Sequence, residues 1–236
     1  MIEFVPETGS TNADLIARIN AGELVAEGSW LVADRQTAGR GRQGREWFDG
    51  SGNFMGSTVV HVSPQDPPAH SLALVAGLAV YEALLPHCPN PSALMLKWPN
   101  DVLLNRAKLS GILLEGAGGA VIIGIGINLA KAPSVAGRET IALASLGPLP
   151  ERNSVASTLA QSLDKELERW RTFGMEPLLR RWRAAGTPEG TDLQVHDPSG
   201  DTIEGKFAGL DPLGNLQLRL EDGSVRAIHA GDVFLM

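Results

Sequence analysis

Four arginines (Arg35, Arg40, Arg42, Arg45) and three glycines (Gly39, Gly41, Gly44) fall within the stretch Arg35 to Arg45, which holds no acid. The chain around them is acidic, with a formal net charge of -7. Crowded guanidinium groups repel one another, so a cluster of this kind is best accommodated against an anion. Each guanidinium is a planar fork of donors suited to phosphate or carboxylate. Glycine lets the backbone take positive φ and lie close to a ligand, and successive N–H groups in such a turn can cradle an anion. Taken alone, the stretch also reads as a solvated, flexible loop.

Gly39 to Gly44 matches G-x-G-x-x-G and follows a strand-like run, Trp30 to Gln36. A dinucleotide site needs a helix opening directly after the glycines and an acid about 20 positions on. Gly50 and Gly52 interrupt any helix there, and the next periodic segment, Phe54 to Val62, reads as a strand. The context excludes the dinucleotide reading.

Further polar residues stand at element boundaries. Ser10, Thr11 and Asn12 precede an amphipathic run and are good N-cap types. Three in a row exceed what one cap needs, so they either cap the helix or face a polar ligand. Lys97, Asn100 and Asp101 surround a Pro-containing turn, where Asp101 could also serve as a turn-capping side chain. Lys108 starts a strand, a position where lysine is commonly unremarkable. Gly124 and Gly126 interrupt the apolar run Val121 to Ala130, marking a place where a ligand or another backbone comes close.

The elements that must position these groups are legible in outline. A strand at Ile2 to Val5 leads into a helix closed by Gly22. The run from Ser71 to Leu85 is apolar almost all round, as befits a helix buried against a sheet. Residues 93–115 read as strand, turn, strand, turn, strand, an antiparallel meander. Pro133 to Pro150 lacks periodicity, and two helices follow, one from Ser154 and one over residues 176–186. From about Gly190 five short strands alternate with turns at Pro198-Ser199-Gly200, Asp211 to Gly214 and Glu221 to Gly223, which suggests a small closed barrel.

Composition removes several classes. Of 236 residues 43% are hydrophobic, enough for a proper core. Net acidity argues against nonspecific nucleic-acid binding. The single cysteine, Cys88, allows no internal disulfide or cysteine-based zinc site and suits a reducing cytoplasm. The five histidines show no metal-ligand spacing. MIEFVPETGS has neither a basic start nor an apolar run, so no signal peptide is expected, and Leu72 to Leu85 is too short for a membrane span.

Taken together and in this order, GRGRQGREW, KWPNDVLLN with KLSGILLE, and GIGIN resemble the biotin protein ligase family. Ser10-Thr11-Asn12 and Gln36 fit as well. The likeness runs from about residue 8 to 130, and the C-terminal strands look like that family's C-terminal domain. It implies an α+β fold like that of class II aminoacyl-tRNA synthetases, a mixed and largely antiparallel sheet packed by helices, over residues 1–187. An SH3-like β-barrel would occupy residues 188–236. The chain starts directly at the catalytic domain, so the resemblance points to a ligase without the N-terminal DNA-binding domain of the repressor members. It leaves either a monomer or a homodimer open.

The implied reaction has two steps. Biotin's carboxylate attacks the α-phosphorus of ATP to give biotinyl-5'-AMP and pyrophosphate; a lysine of a biotin carboxyl carrier protein then takes the acyl group and releases AMP. Bringing together two anions requires fixed positive charge, with Mg²⁺ the usual companion of the phosphates. The resemblance maps Ser10, Thr11 and Gln36, with Asn12 beside them, onto the ring of biotin. It puts the loop Gly39, Arg40, Gly41, Arg42 to Arg45 over carboxylate and α-phosphate, and Lys108 between those two groups. Lys97, Asn100 and Asp101 come near nucleotide and metal, with no metal ligand assigned. Gly111, Gly124 and Gly126 become close-approach positions for the ring, and Asn128 a polar strand end. Trp47 either stacks on adenine or packs the loop. Leu129-Ala130 departs from the family pattern, in which a second asparagine is common, so the closure of that end of the pocket is open. A lipoate or octanoate ligase or transferase is the rival of the same fold, which should lack the arginine loop. A non-enzymatic nucleotide-binding or carrier-interaction module is a third reading, and it would tolerate loss of Lys108.

Overall fold

The computed structural model describes residues 1–196 and 200–236. Its elements in chain order are β1 (Ile2–Val5), α1 (Thr11–Asn20), β2 (Trp30–Ala33), β3 (Phe54–His61), α2 (Leu72–Leu84), β4 (Leu94–Lys97), β5 (Asp101–Leu104), β6 (Ala107–Ala117) and β7 (Ala120–Ile127), followed by α3 (Arg152–Phe173), α4 (Met175–Ala185), β8 (Asp192–His196), β9 (Thr202–Leu210), β10 (Leu216–Arg219), β11 (Val225–Ile228) and β12 (Asp232–Leu235).

Seven strands form one sheet in the order β1-β2-β3-β7-β6-β5-β4. Only β1 and β2 pair parallel; the expected meander is the antiparallel run β4-β5-β6, and β2 with β3, β3 with β7 and β7 with β6 are antiparallel as well. Alternation along β7 divides the sheet's two faces. Ile123, Ile125 and Ile127 join the large core beneath α2, α3 and α4, whereas Ile122 packs with Leu15 of α1, Leu31 and Val59. Gly124 and Gly126 share the α1 face with Ile122. The sheet therefore has a hollow beside α1, and that hollow is the floor of the site.

Helix limits follow local chemistry. Ser10 caps α1 with its hydroxyl toward Ala13 N at 3.5 Å, and Gly22 at φ 83° turns the chain away. Helix α2 is buried around most of its circumference, and its flank Ser71 accepts a hydrogen bond from Trp170 Nε1 of α3 at 2.8 Å. With its 3₁₀ flanks, Ala69–His87, it is the one described helix long and apolar enough to cross a membrane, and here it lies in the protein core. Glu151 caps α3 through Asn153 N and Ser154 N.

Some expectations change in detail. The strand from Trp30 stops at Ala33 rather than Gln36. The Val121 strand leaves its ladder after Ile127, because Ala130 N and Lys131 N are instead held by Asn53 Oδ1 at 2.9 and 3.0 Å. Residues 133–150 contain one short 3₁₀ turn, Leu143–Leu146. All five C-terminal strands are present, but they form an open sheet, β11-β10-β9-β8-β12, not a closed barrel. Closure would pair β11 with the outer edge of β12. That edge is already engaged: Lys97 Nζ donates to Val233 O at 2.8 Å and Arg42 Nη2 to Gly231 O at 3.3 Å. Of the expected turn at Pro198-Ser199-Gly200, Pro198 and Ser199 lie outside the described residues.

Candidate active site

A cavity of about 520 Å³ runs over the hollow face, within the size range of small-molecule sites. Of the candidate site residues read from the sequence, all but Arg35 and Gly44 line it, although they come from α1, three separate loops and four strands. Beyond them the cavity takes in Ser57, Arg138 and Asp232, which carried no readable motif.

One end is polar and uncharged at its base. The Gln36 side-chain oxygen accepts from Thr11 N at 2.8 Å and lies 3.1 Å from Thr11 Oγ1. Thr11 and Ser57 hydroxyls are 2.6 Å apart, and Ser57 Oγ donates to Asn12 Oδ1 at 2.5 Å. Ser10, Thr11, Asn12, Gln36 and Ser57 are all buried. Ser10 is the helix cap, so Thr11 and Asn12 are free of that duty and point at the cavity's polar end.

The glycine–arginine loop folds over the middle. No helix follows the G-x-G-x-x-G match; a single 3₁₀ turn, Arg42–Gly44, reverses the chain, with Gln43 and Gly44 at φ 56° and 73°. Bonds from Gly41 N to Arg45 O (2.7 Å) and from Trp47 N to Gly39 O (2.9 Å) tie its two limbs into a flap. Arg35 stands apart from the cavity, exposed, and pairs with Glu7 at 2.7 Å and Asp49 at 3.3 Å. Arg40 reaches Glu115 at 3.5 Å, and Arg45 pairs with Asp232. Arg42 donates to Asn100 Oδ1 at 2.9 Å, and no carboxylate among the described residues lies within ion-pair distance of it. Burial pulls its basicity below the ordinary arginine value, with Asp232 and Asp101 opposing that from a distance. A desolvated guanidinium without a direct counter-charge is a ready partner for an anion.

Trp47 follows the flap into the hollow. A Cβ on Gly126 would lie 2.1 Å from its ring, and one on Gly111 would lie 2.9 Å from it. The same atom on Gly124 would lie 2.3 Å from Asn12 Oδ1. Close approach at these glycines is therefore made by the protein's own side chains. Trp47 Nε1 and Asn128 Oδ1, on two residues that line the cavity, are buried without a hydrogen-bond partner among the described residues.

At the centre lies Asp101, 8% exposed, 2.6 Å from Lys108 Nζ and 3.1 Å from Lys97 Nζ. Its burial opposes ionisation, but the two ammonium charges and their hydrogen bonds overcome that and hold the carboxyl well below the usual range. Asp101 is thus a counter-charge shared by two lysines rather than a turn cap. Lys108 Nζ also lies 5.7 Å from the centre of the Trp47 ring. Asn100 Nδ2 donates to Ile112 O at 2.6 Å, hooking the Pro-containing turn onto β6 beside Arg42. Far from the polar end, Arg138 and Arg45 converge on Asp232 of β12. No cluster of three or more histidine, cysteine or acidic side chains among the described residues could hold a metal.

Fold and cavity define a class. Residues 6–130 match the Biotin/lipoate A/B protein ligase family, and residues 194–236 match the Biotin protein ligase C terminal domain. The chain is 38% identical to the Biotin–[acetyl-CoA-carboxylase] ligase of Mycobacterium tuberculosis, over 98% of this chain and 88% of that protein. It is 34% identical to the Bifunctional ligase/repressor BirA of Escherichia coli, over 99% of this chain and 74% of that one. The biotin protein ligase of Aquifex aeolicus in complex with biotin and ATP superposes with a TM-score of 0.86 at 28% identity, covering 100% and 98% of the two chains. This chain belongs to the biotin protein ligase family.

Proposed function

We propose that the protein attaches biotin to one lysine of a biotin carboxyl carrier protein, using ATP and passing through biotinyl-5'-AMP. The observation that carries this reading is the cationic centre: Lys97, Lys108 and Arg42 converge between a polar, uncharged end and an arginine-lined mouth. A carboxylate and a polyphosphate repel each other, and a site that joins them needs preorganised positive charge where negative charge grows.

In this reading the ring of biotin lies at Ser10, Thr11, Asn12 and Gln36, and its carboxylate is directed toward Lys108. A carboxylate oxygen attacks the α-phosphorus, the bond to the bridging oxygen breaks, and pyrophosphate departs. Lys108 and Arg42 stabilise the charge that gathers on the α-phosphoryl oxygens, with Lys97 and Asn100 alongside. Asp101 keeps both ammonium groups charged and in place. In the second step the carrier's ε-amine attacks the acyl carbon, loses a proton, and AMP leaves. The flap from Gly39 to Arg45 and Trp47 shields the mixed anhydride from water until then.

Mg²⁺ enters as part of the nucleotide substrate. Of the acidic side chains that line the cavity, Asp101 and Asp232 are each paired with two cations and Asp49 with Arg35, which leaves Glu46 of the flap. That donor set suits a metal carried mainly by phosphate oxygens and water, which is how Mg²⁺ commonly binds. The division of the chain at residue 187 belongs to the same reading: the C-terminal part lends β12 to the cavity wall through Val233 and Asp232. A reducing cytoplasmic setting fits the lone, buried thiol of Cys88.

The test is an intact-mass measurement on an unmodified biotin carboxyl carrier domain incubated with the protein, biotin and MgATP. One biotinyl group should appear on one lysine, and a carrier with that lysine changed to arginine should stay unmodified. A carrier left unmodified in the first case would refute the activity.

A further inference from the structure

Arg35 belongs to the arginine-rich stretch, yet it stays out of the cavity and the chemistry above leaves it unused. It stands instead between two carboxylates, 2.7 Å from Glu7 and 3.3 Å from Asp49. Asp49 is the more telling partner, because its Oδ1 also accepts the Gln36 N–H at 3.2 Å. That bond answers a need of the backbone. Strand β2 ends at Ala33, but the chain beyond it still runs along the segment before α1. Thr8 N donates to Arg35 O at 3.1 Å, Thr37 N to Thr8 O at 2.9 Å and Ala38 N to Gly9 O at 2.8 Å. Arg35 O and Thr37 N both face that segment, so the Gln36 N–H between them points the other way. There β3 offers no partner, since its pairing with β2 ends at Val32 and Gly56. A backbone N–H on a buried residue needs an acceptor, and Asp49 supplies it from the returning limb of the flap.

The two limbs of the flap are held differently. The outgoing limb is tied through Ala38 to the segment before α1. On the returning limb, among the described residues, Phe48 to Gly52 make backbone bonds only within their own turn, Gly50 N to Phe48 O at 3.2 Å and Asn53 N to Gly50 O at 2.8 Å. Asn53, bonded to Ala130 N and Lys131 N, is the next fixed point. Gln36 lies where the limbs converge: a Cβ on Gly39 would lie 3.2 Å from Gln36 Nε2 and 3.1 Å from Trp47 O.

We propose that Asp49 is a positioning residue that clips the returning limb of the flap to the backbone of Gln36, with Arg35 orienting its carboxylate. The consequence, retention of the acyl-adenylate, rests on the ligase reading. Opening the flap swings the returning limb away from Gln36 and breaks the clip, whereas the outgoing limb keeps its ties. Asp49 thus favours the closed flap without touching the reacting atoms. Escape of the adenylate follows the small open population, and its formation follows the large closed one. Weakening the clip therefore multiplies escape and leaves formation nearly unchanged, a split that general loss of structure would not give.

Asp49→Ala removes the clip, while Asp49→Asn keeps an oxygen for Gln36 N. Preformed biotinyl-5'-AMP should leave Asp49→Ala about tenfold faster than wild type, the equivalent of one hydrogen bond to a charged group. Single-turnover adenylate formation at saturating biotin and MgATP should change by less than about threefold. In the ligand-free protein, tryptic cutting after Arg40 and Arg42 should accelerate by the same factor as escape, since it too follows the open population. Asp49→Asn should stay within about threefold of wild type in both. An unchanged escape rate, formation that falls as much as escape rises, or an Asp49→Asn as leaky as Asp49→Ala would overturn the proposal. Wild-type protein that forms no biotinyl-5'-AMP would overturn the ligase reading instead, and the tryptic comparison would still decide whether Asp49 holds the flap.

Discussion

Replacing Asp101 by asparagine keeps the shape of the central ion cluster and removes its only negative charge. The two ammonium groups, 2.6 and 3.1 Å from the carboxylate, would then face each other across a neutral amide. Breaking a buried ion pair by deleting one partner costs about 3–5 kcal/mol. The lower end applies here, because the lysine side chains retain 23% and 16% exposure and Lys97 keeps its bond to Val233 O. For a chain of this size about 3 kcal/mol lowers the melting temperature by about 6–12 °C. Saturating MgATP brings phosphate charge to the orphaned lysines, so it should raise the melting temperature of Asp101→Asn more than that of the wild type. The sign with pH follows from the depressed carboxyl. Its stabilisation is present above the ordinary aspartate value of 3.8 and is lost as pH falls through the lower folded value. The gap between wild type and variant should therefore stay constant from pH 6 to 8 (about two units around neutrality) and narrow only below about pH 4. Differential scanning fluorimetry across pH, with and without MgATP, reads all three effects. A variant that melts within about 2 °C of wild type, or gains no extra stability from MgATP, would refute the shared counter-charge.

Other expectations concern the cations and the flap. Lys108→Ala should slow adenylate formation by at least about 100-fold while changing biotin affinity by only a few fold, because its charge matters most in the transition state. Rapid-quench and titration measurements separate the two, and equal losses would count against that role. Arg42→Ala removes charge-assisted hydrogen bonds worth about 1.5–3 kcal/mol each, so preformed biotinyl-5'-AMP should dissociate at least about tenfold faster. An unchanged off-rate would mean that another group retains the intermediate. Limited proteolysis between Gly39 and Gly44 should slow when biotin and MgATP are added together, whereas undiminished cutting would exclude a flap that closes over ligand.

Local chemistry made much of this molecule legible in advance. Caps, apolar periodicity and turn residues suffice for α1, α2, the meander and the five C-terminal strands. The glycines of β7 and the arginines of the flap announce a site because neither suits an ordinary core or surface. What sequence reasoning misses is what distant pairings decide. Ser57 is an unremarkable strand residue until the sheet sets it beside Asn12, 45 positions away. Glu115 reads as the polar end of a strand, yet it meets an α1 side chain 103 positions earlier. Asp232 gathers Arg45 and Arg138 from two loops, a meeting that no local pattern encodes. The open C-terminal sheet has the same origin, since the edge at β12 is occupied by cations from the other sheet's side, Lys97 at the end of β4 and Arg42 of the flap.

The most direct measurement is exchange of labelled pyrophosphate into ATP by the protein alone, without any carrier. Exchange reports reversible attack of an acyl carboxylate on the α-phosphorus and nothing later. It should require biotin and Mg²⁺, should not be supported by lipoate, and should fall at least about 100-fold in Lys108→Ala. Exchange that proceeds without biotin, or that survives intact in Lys108→Ala, would contradict the cationic centre as the place where the adenylate forms.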